Sequence, residues 1–321
     1  MTGADDYFTV SARVKRHGLI SAECEQLTGG RPDADGVAPA SSVDLVPRAA
    51  FVQLGVRTLA TAATFDDLVQ AVAGMRFEAD RFRIDVHDPS GRGQRSSTDV
   101  ATAVADVIEF GPDLRDPLHR FLVVPRDHGW LFGEVVTRTE AGHARHDAKP
   151  WTTSSSLDGR FARGLVNLVP EARSLLDPCS GAGSIVLEAA SMGLDVRAVD
   201  WKPAMVGMTR QNLAHFGYTA DVARADSRCH PFAPVDAIVT DLPYGHAIDA
   251  DEPTIRAILA NCARSSPLGV FVAPADFSLW LEAAGYTDIE VHTVLKRRGF
   301  TRWIHRARST RHAGRMVSDT E

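Results

Sequence analysis

Four short apolar segments in the second half of the chain, 173–177 (RSLLD), 194–199 (LDVRAV), 235–240 (VDAIVT) and 268–272 (LGVFV), are separated by stretches with helical spacing. Strands that alternate with helices cannot be joined as hairpins, so they run parallel, with the helices covering the faces of one sheet. A parallel sheet must be buried on both faces, and that matches the unbroken apolar runs Ala237 to Val239 and Val270 to Val272. Two further strands, 288–295 and 300–307, are connected only by the Arg297-Arg298-Gly299 turn. So short a connection makes them antiparallel neighbours.

The first half has a different texture. Tyr7 to Val14, Arg81 to Val86, Arg120 to Val124 and Gly129 to Val136 read as strands, while Gly18 to Leu27, Phe65 to Val72 and Ser97 to Phe110 read as helices. This is an α+β module without a catalytic motif. The polar run Ala141 to Asp147 and the stretch Pro150 to Ser156 (PWTTSSS) lack apolar periodicity and read as a linker. The expected organisation is an N-terminal α+β domain over 1–150, an α/β domain with a C-terminal antiparallel hairpin over 151–310, and a tail over 311–321. No period repeats along the chain, which excludes solenoids and propellers.

The 321 residues are 44% hydrophobic with a net charge of −6. That charge argues against a protein that coats nucleic acid non-specifically, because phosphate contacts need Lys and Arg. It leaves room for a local basic face, and KRRGFTRWIHRARSTRHAGR, from Lys296 to Arg315, carries no acidic residue. The four cysteines, Cys24, Cys179, Cys229 and Cys262, contain no C-x-x-C pair, so neither a zinc site nor a disulfide framework is expected. Together with the absence of a membrane-length apolar run and of a signal peptide, this predicts a soluble, cytoplasmic protein without a metal.

Three motifs carry chemistry. Asp177-Pro178-Cys179-Ser180-Gly181-Ala182-Gly183-Ser184 lies where the first parallel strand turns into a helix, and its glycines let the backbone approach a nucleotide-like ligand. The pattern is neither G-x-G-x-x-G nor a Walker loop, and the acidic Asp177 suits a cationic ligand group rather than a phosphate. The next strand ends at Asp200, where Rossmann-like folds place a carboxylate for ribose hydroxyls, with Trp201 beside it to pack on an adenine. Asp226, with Ser227, follows a third strand and is placed to meet an adenine amino group. Finally Asp241-Leu242-Pro243-Tyr244-Gly245 follows a strand directly. There Asp241 and the Leu242 carbonyl can accept the hydrogens of an exocyclic amine, Pro243 stiffens the loop, and Tyr244 offers a ring on which a flipped base stacks.

DPCSGAGSIVLEAA, AVDWKPAMVGMTRQNLAHFG, RADS and TDLPYG resemble, in order and spacing, the cofactor and amino-methylation motifs of class I methyltransferases. The helix LDGRFARGLVNLV and the final RRGFTRWIHRAR resemble segments of the THUMP-domain RNA guanine-N2 methyltransferases, including the position-10 tRNA enzymes. The resemblance implies a Rossmann-like methyltransferase domain, S-adenosylmethionine as cofactor, and RNA, specifically tRNA, as partner. It places Asp177, Pro178, Gly181 and Gly183 around the methionine part of the cofactor, Asp200 and Trp201 at ribose and adenine, Asp226 and Ser227 at adenine, and Asp241, Pro243 and Tyr244 at the target base. Residues 45–138 correspond to the RNA-binding THUMP module in order of elements. The chain departs from the family at Leu242, where many members have Pro, and at Ser180 and Ala182, where Cys and Thr are common. Rival readings are amino methylation of DNA adenine or of a protein glutamine, and a non-catalytic RNA-binding protein that retains the fold. The N-terminal module speaks against the first two, and the presence of all four carboxylates against the third.

Overall fold

A computed structural model of the chain describes residues 6–13, 17–77, 81–243, 251–297 and 299–311. In chain order the elements are β1 (Tyr7–Ser11), α1 (Gly18–Thr28), β2 (Val37–Ala40), β3 (Val52–Ala62), α2 (Phe65–Ala73), β4 (Phe82–Val86), α3 (Ser97–Ala105), β5 (His119–Arg126) and β6 (Gly129–Arg138). There follow α4 (Gly159–Val166), β7 (Ser174–Asp177), α5 (Ser184–Ser191), β8 (Asp195–Asp200), α6 (Pro203–Phe216), β9 (Asp221–Arg224), β10 (Ala237–Asp241), α7 (Glu252–Cys262), β11 (Leu268–Ala273), α8 (Ser278–Ala284), β12 (Tyr286–Arg297) and β13 (Phe300–Ser309).

One compact unit comprises the residues up to Arg13 together with Leu27–Pro47 and Val52–Glu140. Its sheet has the order β2-β1-β3-β6-β5-β4, antiparallel except for the β4–β5 pair. β5 is apolar on both faces: Phe121 and Val123 join a core with α2 and α3, while Leu122 and Val124 join a second cluster with Phe8, Val10 and Val37. Thr64 and Ser96 cap α2 and α3 by accepting the backbone N–H of Asp67 and Asp99. β2 and β3 carry no sequence signature of a strand. β3 reads VQLGVRTLATA, mostly small or polar, and its register with β6 shifts at Gly55/Val56 and at Thr58/Ala60, which breaks the two-residue period.

The other unit holds Val14–Gln26, Arg48–Phe51 and everything from Ala141 onward. The boundary therefore falls at Glu140, before the stretch read as a linker, and most of α1 belongs with the α/β part. The physical reason is Glu23, whose fully buried carboxylate accepts the N–H groups of Ala50 (2.7 Å) and Phe51 (2.6 Å) and the amide of Asn167 (2.6 Å), which follows α4. The stretch read as a linker is ordered too. Residues Gly142–Ala148 form a 3-10 helix with His143 and His146 buried, and Asn212 of α6 clasps Trp151 through both its backbone N–H and its carbonyl at 2.9 Å. Buried polar groups on α5 and α6 need partners, and this segment supplies them.

The second sheet runs β12-β13-β11-β10-β7-β8-β9. β7 to β11 are mutually parallel, and β13 is antiparallel to both β11 and β12, so the hairpin folds back between β11 and the edge. Strand order reverses at β7, which opens a crevice beyond the carboxyl ends of β7 and β10. The basic stretch from Lys296 does not form one solvated face: in β13 Arg302 is buried and Arg306 half-buried against Glu290, and residues 312–321 lie outside the described ones. No helix among the described residues is long and apolar enough to cross a membrane.

Candidate cofactor and base-binding site

Asp177, Asp200, Asp226 and Asp241 all stand at or just beyond the carboxyl ends of neighbouring parallel strands, along the rim of the crevice. Asp177 closes β7 and is only 1% exposed. Thr240 Oγ1 on the adjacent β10 donates to its Oδ1 at 2.7 Å, and the Cys179 N–H donates to the same oxygen at 3.1 Å. Burial pushes its pKa up to about 7, against the pull of those two donors, and the charges of Asp241 and Asp200 add to the rise.

The turn that follows is shaped for close approach. Gly181 (φ 54°) and Gly183 (φ 82°) occupy the left-handed region, where a side chain is strained. A Cβ on Gly183 would stand 2.7 Å from Thr209 Cγ2, whereas over Gly181 the space is open. Polar clamps hold the turn: Thr209 Oγ1 donates to the Gly181 carbonyl (2.9 Å) and Asn212 Nδ2 to the Ala182 carbonyl (2.8 Å). Asp200 accepts the Gly181 N–H at 3.0 Å and the Lys202 N–H at 2.8 Å, and burial raises its pKa. Trp201 stands exposed next to it, with the Lys202 ammonium 5.5 Å from its ring centre.

Ser227 Oγ donates to the Pro178 carbonyl, and Asn261 on α7 donates to the carbonyls of Ser227 (3.0 Å) and His230 (2.8 Å), so the loop after β9 is tied to the glycine turn. The carboxylate of Asp226 is held on its own loop by the Arg228 fork (2.6–3.0 Å), which lowers its pKa. At the end of β10, Asp241 is half-buried, the Leu242 N–H donates to the Val272 carbonyl (3.0 Å) and the Leu242 side chain is buried among the residues of α7 and β11. Leu242 is thus fixed by its backbone while its side chain serves the core. Tyr244 lies outside the described residues.

The rim suits a ligand rich in donors and positive charge. Ser180 Oγ is buried at the turn with no hydrogen-bond partner, the volume over Gly181 is open, and the carboxylates disfavour a phosphate there. These features fit S-adenosylmethionine, with its ammonium, sulfonium and ribose hydroxyls. Three contributors carry no signal of their own in the sequence. Thr240 holds Asp177, Asn212 holds the glycine turn, and the Ser180 hydroxyl is left open. Each is a common residue type, and only the fold reveals its surroundings. Among the described residues no group of three or more His, Cys, Asp or Glu is placed to hold a metal ion.

Residues 146–265 match the family model described as RMKL-like, methyltransferase domain. Among curated proteins, the chain is 40% identical over 115 residues to a tRNA (guanine(10)-N2)-dimethyltransferase of Methanothermobacter thermautotrophicus, covering 35% of this chain and 34% of that one. It is 34% identical over 147 residues to the protein of the same name from Pyrococcus abyssi, covering 43% and 45%. The aligned portion is thus less than half the length of these relatives. Among solved structures, TrmN from Thermus thermophilus superposes with a TM-score of 0.53 at 21% identity, over 94% of this chain and 99% of that one, so the likeness in fold extends over both units. Residues 146–265 are thus similar to the RMKL-like methyltransferase domain, and the fold of the chain resembles that of TrmN.

Proposed function

We propose that the chain transfers a methyl group from S-adenosylmethionine to the exocyclic amino group of a base in RNA, and specifically to N2 of a guanine in tRNA. The observation that carries this reading is the placement of Asp241-Leu242-Pro243 at the end of β10, next to the strand whose Asp177 and glycine turn form the cofactor side of the crevice. The names of the two archaeal relatives support RNA guanine-N2 as the substrate, and the α+β unit comes in the chain order in which the family carries its THUMP module. A reducing, cytoplasmic location goes with this reading.

When bound, S-adenosylmethionine supplies an electrophilic methyl group on a sulfonium. Asp177, Ser180, Gly181 and Gly183 would hold its methionine part, Asp200 and Trp201 its ribose and adenine, and Ser227 and Asp226 the far edge of the adenine. For Asp226 that contact requires sharing the carboxylate with Arg228. Asp241 and the Leu242 carbonyl accept the two amine hydrogens of the target, which turns the nitrogen lone pair toward the cofactor side. As the nitrogen gains positive charge, the Asp241 carboxylate stabilises it, and positioning does the rest.

Incubating the protein with methyl-labelled S-adenosylmethionine and total cellular RNA, DNA and protein, then digesting each fraction, tests the proposal. Labelled N2-methylguanosine or N2,N2-dimethylguanosine from the tRNA fraction is expected. Label confined to DNA or protein overturns it.

A further inference from the structure

Arg302, near the start of β13, is 5% exposed. Its guanidinium carbon stands 5.0 Å from the centre of the Phe161 ring on α4, and its Nε is buried with no hydrogen-bond partner. Among the described residues no carboxylate pairs with it. Arg306, four positions further along the same strand, is by contrast fully engaged: it pairs with Glu290 at 2.7 Å and donates to the Leu168 carbonyl at 3.0 Å.

The register explains what surrounds Arg302. It pairs with Val294 of β12, and Val294 in turn bridges His17 in the antiparallel sense. Directly opposed residues of antiparallel strands share a face. His17, Val294 and Arg302 therefore form one row, with Phe161 against both ends: its ring centre lies 6.3 Å from that of His17. His17 Nδ1 is also buried without a partner. Arg160 stacks on Phe51 beside His17, at 4.8 Å from the ring centre. Asp158, whose charge reaches His17, already caps α4 by accepting the Phe161 N–H at 2.8 Å. Arg302, Arg160 and His17 thus gather around the Phe161 and Phe51 rings, and the carboxylate whose charge reaches His17 is already engaged.

A buried guanidinium that, among the described residues, meets a ring face and no carboxylate is incompletely compensated, and its natural complement is an anion that accepts from the guanidinium fork. The neighbouring residue Trp303 pairs with Ala273, the last residue of β11, so Arg302 lies at the same rim where β10 delivers Asp241 beside Val272. In the sheet order β13 stands on the far side of β10 from β7 and β8, which carry the cofactor turn. We propose that Arg302, flanked by His17, is the receptor for a backbone phosphate of the polynucleotide substrate, next to the nucleotide whose base enters at Asp241. This rests on the RNA reading above.

The test compares the full chain with its Arg302→Met and Arg302→Lys variants in binding a fluorescent single-stranded RNA oligonucleotide across a salt series, and in binding S-adenosylmethionine by calorimetry. Arg302→Met is expected to weaken the oligonucleotide about tenfold and to lower the slope of log K against log salt by about 0.7, the value of one lost phosphate contact, with cofactor affinity unchanged. Arg302→Lys keeps the charge but loses the fork, so it lowers affinity at an unchanged slope; it carries the reading where Arg302→Met fails to fold. Oligonucleotide binding equal in wild type and both variants, or absent from all three, overturns the assignment. So does a loss confined to S-adenosylmethionine, which would make the cofactor carboxylate the anion. Oligonucleotide binding that depends on Arg302 in a protein that labels no RNA would leave this site standing and remove the methylation reading.

Discussion

Two carboxylates in the α/β unit are buried to nearly the same degree and have opposite company. Glu188 on α5, fully buried, meets two basic side chains: His146 Nδ1 at 2.6 Å and Arg163 Nε at 2.8 Å, with Arg163 passing on to Ser191 Oγ at 2.8 Å. Asp177 at the end of β7 meets only a hydroxyl and a backbone N–H, and it has two other carboxylates for neighbours. A buried charge that the chain compensates itself serves the fold. One that the chain leaves with neutral donors at the mouth of a crevice is held for a cation that arrives from outside. The same contrast separates Arg306 from Arg302 on β13.

The sharpest way to break this comparison is to neutralise each side. Glu188→Gln leaves Arg163 and His146 buried beside a neutral amide, and removing one partner of such a cluster costs about 3–5 kcal/mol. A fall of that size in denaturant unfolding is expected, and an unfolding midpoint equal to wild type would return Glu188 to the crevice side of the comparison. Asp241→Ala is the converse: half-buried at the rim, it is expected to leave unfolding nearly unchanged and to retain cofactor binding. Transfer should fall by about 10²–10³, the usual consequence of removing one preorganised group from a site of developing charge. A labelled-methyl assay at saturating cofactor measures it, and unaltered transfer would remove Asp241 from the reaction.

The division between legible and hidden features follows the range of the contacts behind them. The parallel strands are readable because short apolar stretches alternate with helical spacing, solid in β10 and β11 and interrupted in β7 and β8, and Asp177, Asp200 and Asp241 because each ends such a stretch at a turn into the next element. β3 is hidden because its eleven residues are mostly small or polar and its register slips twice. Glu23 and Asn167 are 144 residues apart and His146 and Glu188 are 42 apart, so nothing local marks α1 as part of the α/β unit or the polar stretch around His146 as buried. Thr240 stands in full view beside Asp241, yet only the β7–β10 pairing shows that it serves Asp177. Local chemistry at strand ends survives in sequence; compensation of buried charge does not.

The unusual company of Asp177 has a pH signature. Its folded pKa, about 7, lies above the ordinary value of 3.8, so the folded state holds the extra proton between those values. Its contribution to the stability of the cofactor-free protein is therefore fully present below about pH 4 and is lost as pH rises through about 7. Cofactor binding has the opposite dependence. A cation beside Asp177 favours the ionised form, so binding releases a proton, and affinity for S-adenosylmethionine is expected to rise about tenfold between about pH 6 and pH 8. Calorimetry in buffers of different ionisation enthalpy reports that proton directly. A flat affinity profile, or one that persists in Asp177→Asn, would refute the assignment.

The smallest expected effect tests how finely Asp177 is tuned. The Thr240 hydroxyl donates to Asp177 Oδ1 at 2.7 Å and is the strongest of the groups that hold the carboxyl pKa down. Thr240→Val keeps the volume and branching that β10 needs but withdraws the donor. Loss of one such hydrogen bond costs about 0.5–1.5 kcal/mol of stability where both groups remain buried. The change should also move the midpoint of the pH profile for cofactor binding upward, because the ionised carboxylate loses a partner that the neutral form needs less. Glu188 offers the matching control. Its variant should lower stability more and leave that midpoint where it was, since Arg163 and His146, which it holds, are not among the groups that bond Asp177. A midpoint that moves in Glu188→Gln but not in Thr240→Val would reverse the roles assigned to the two carboxylates.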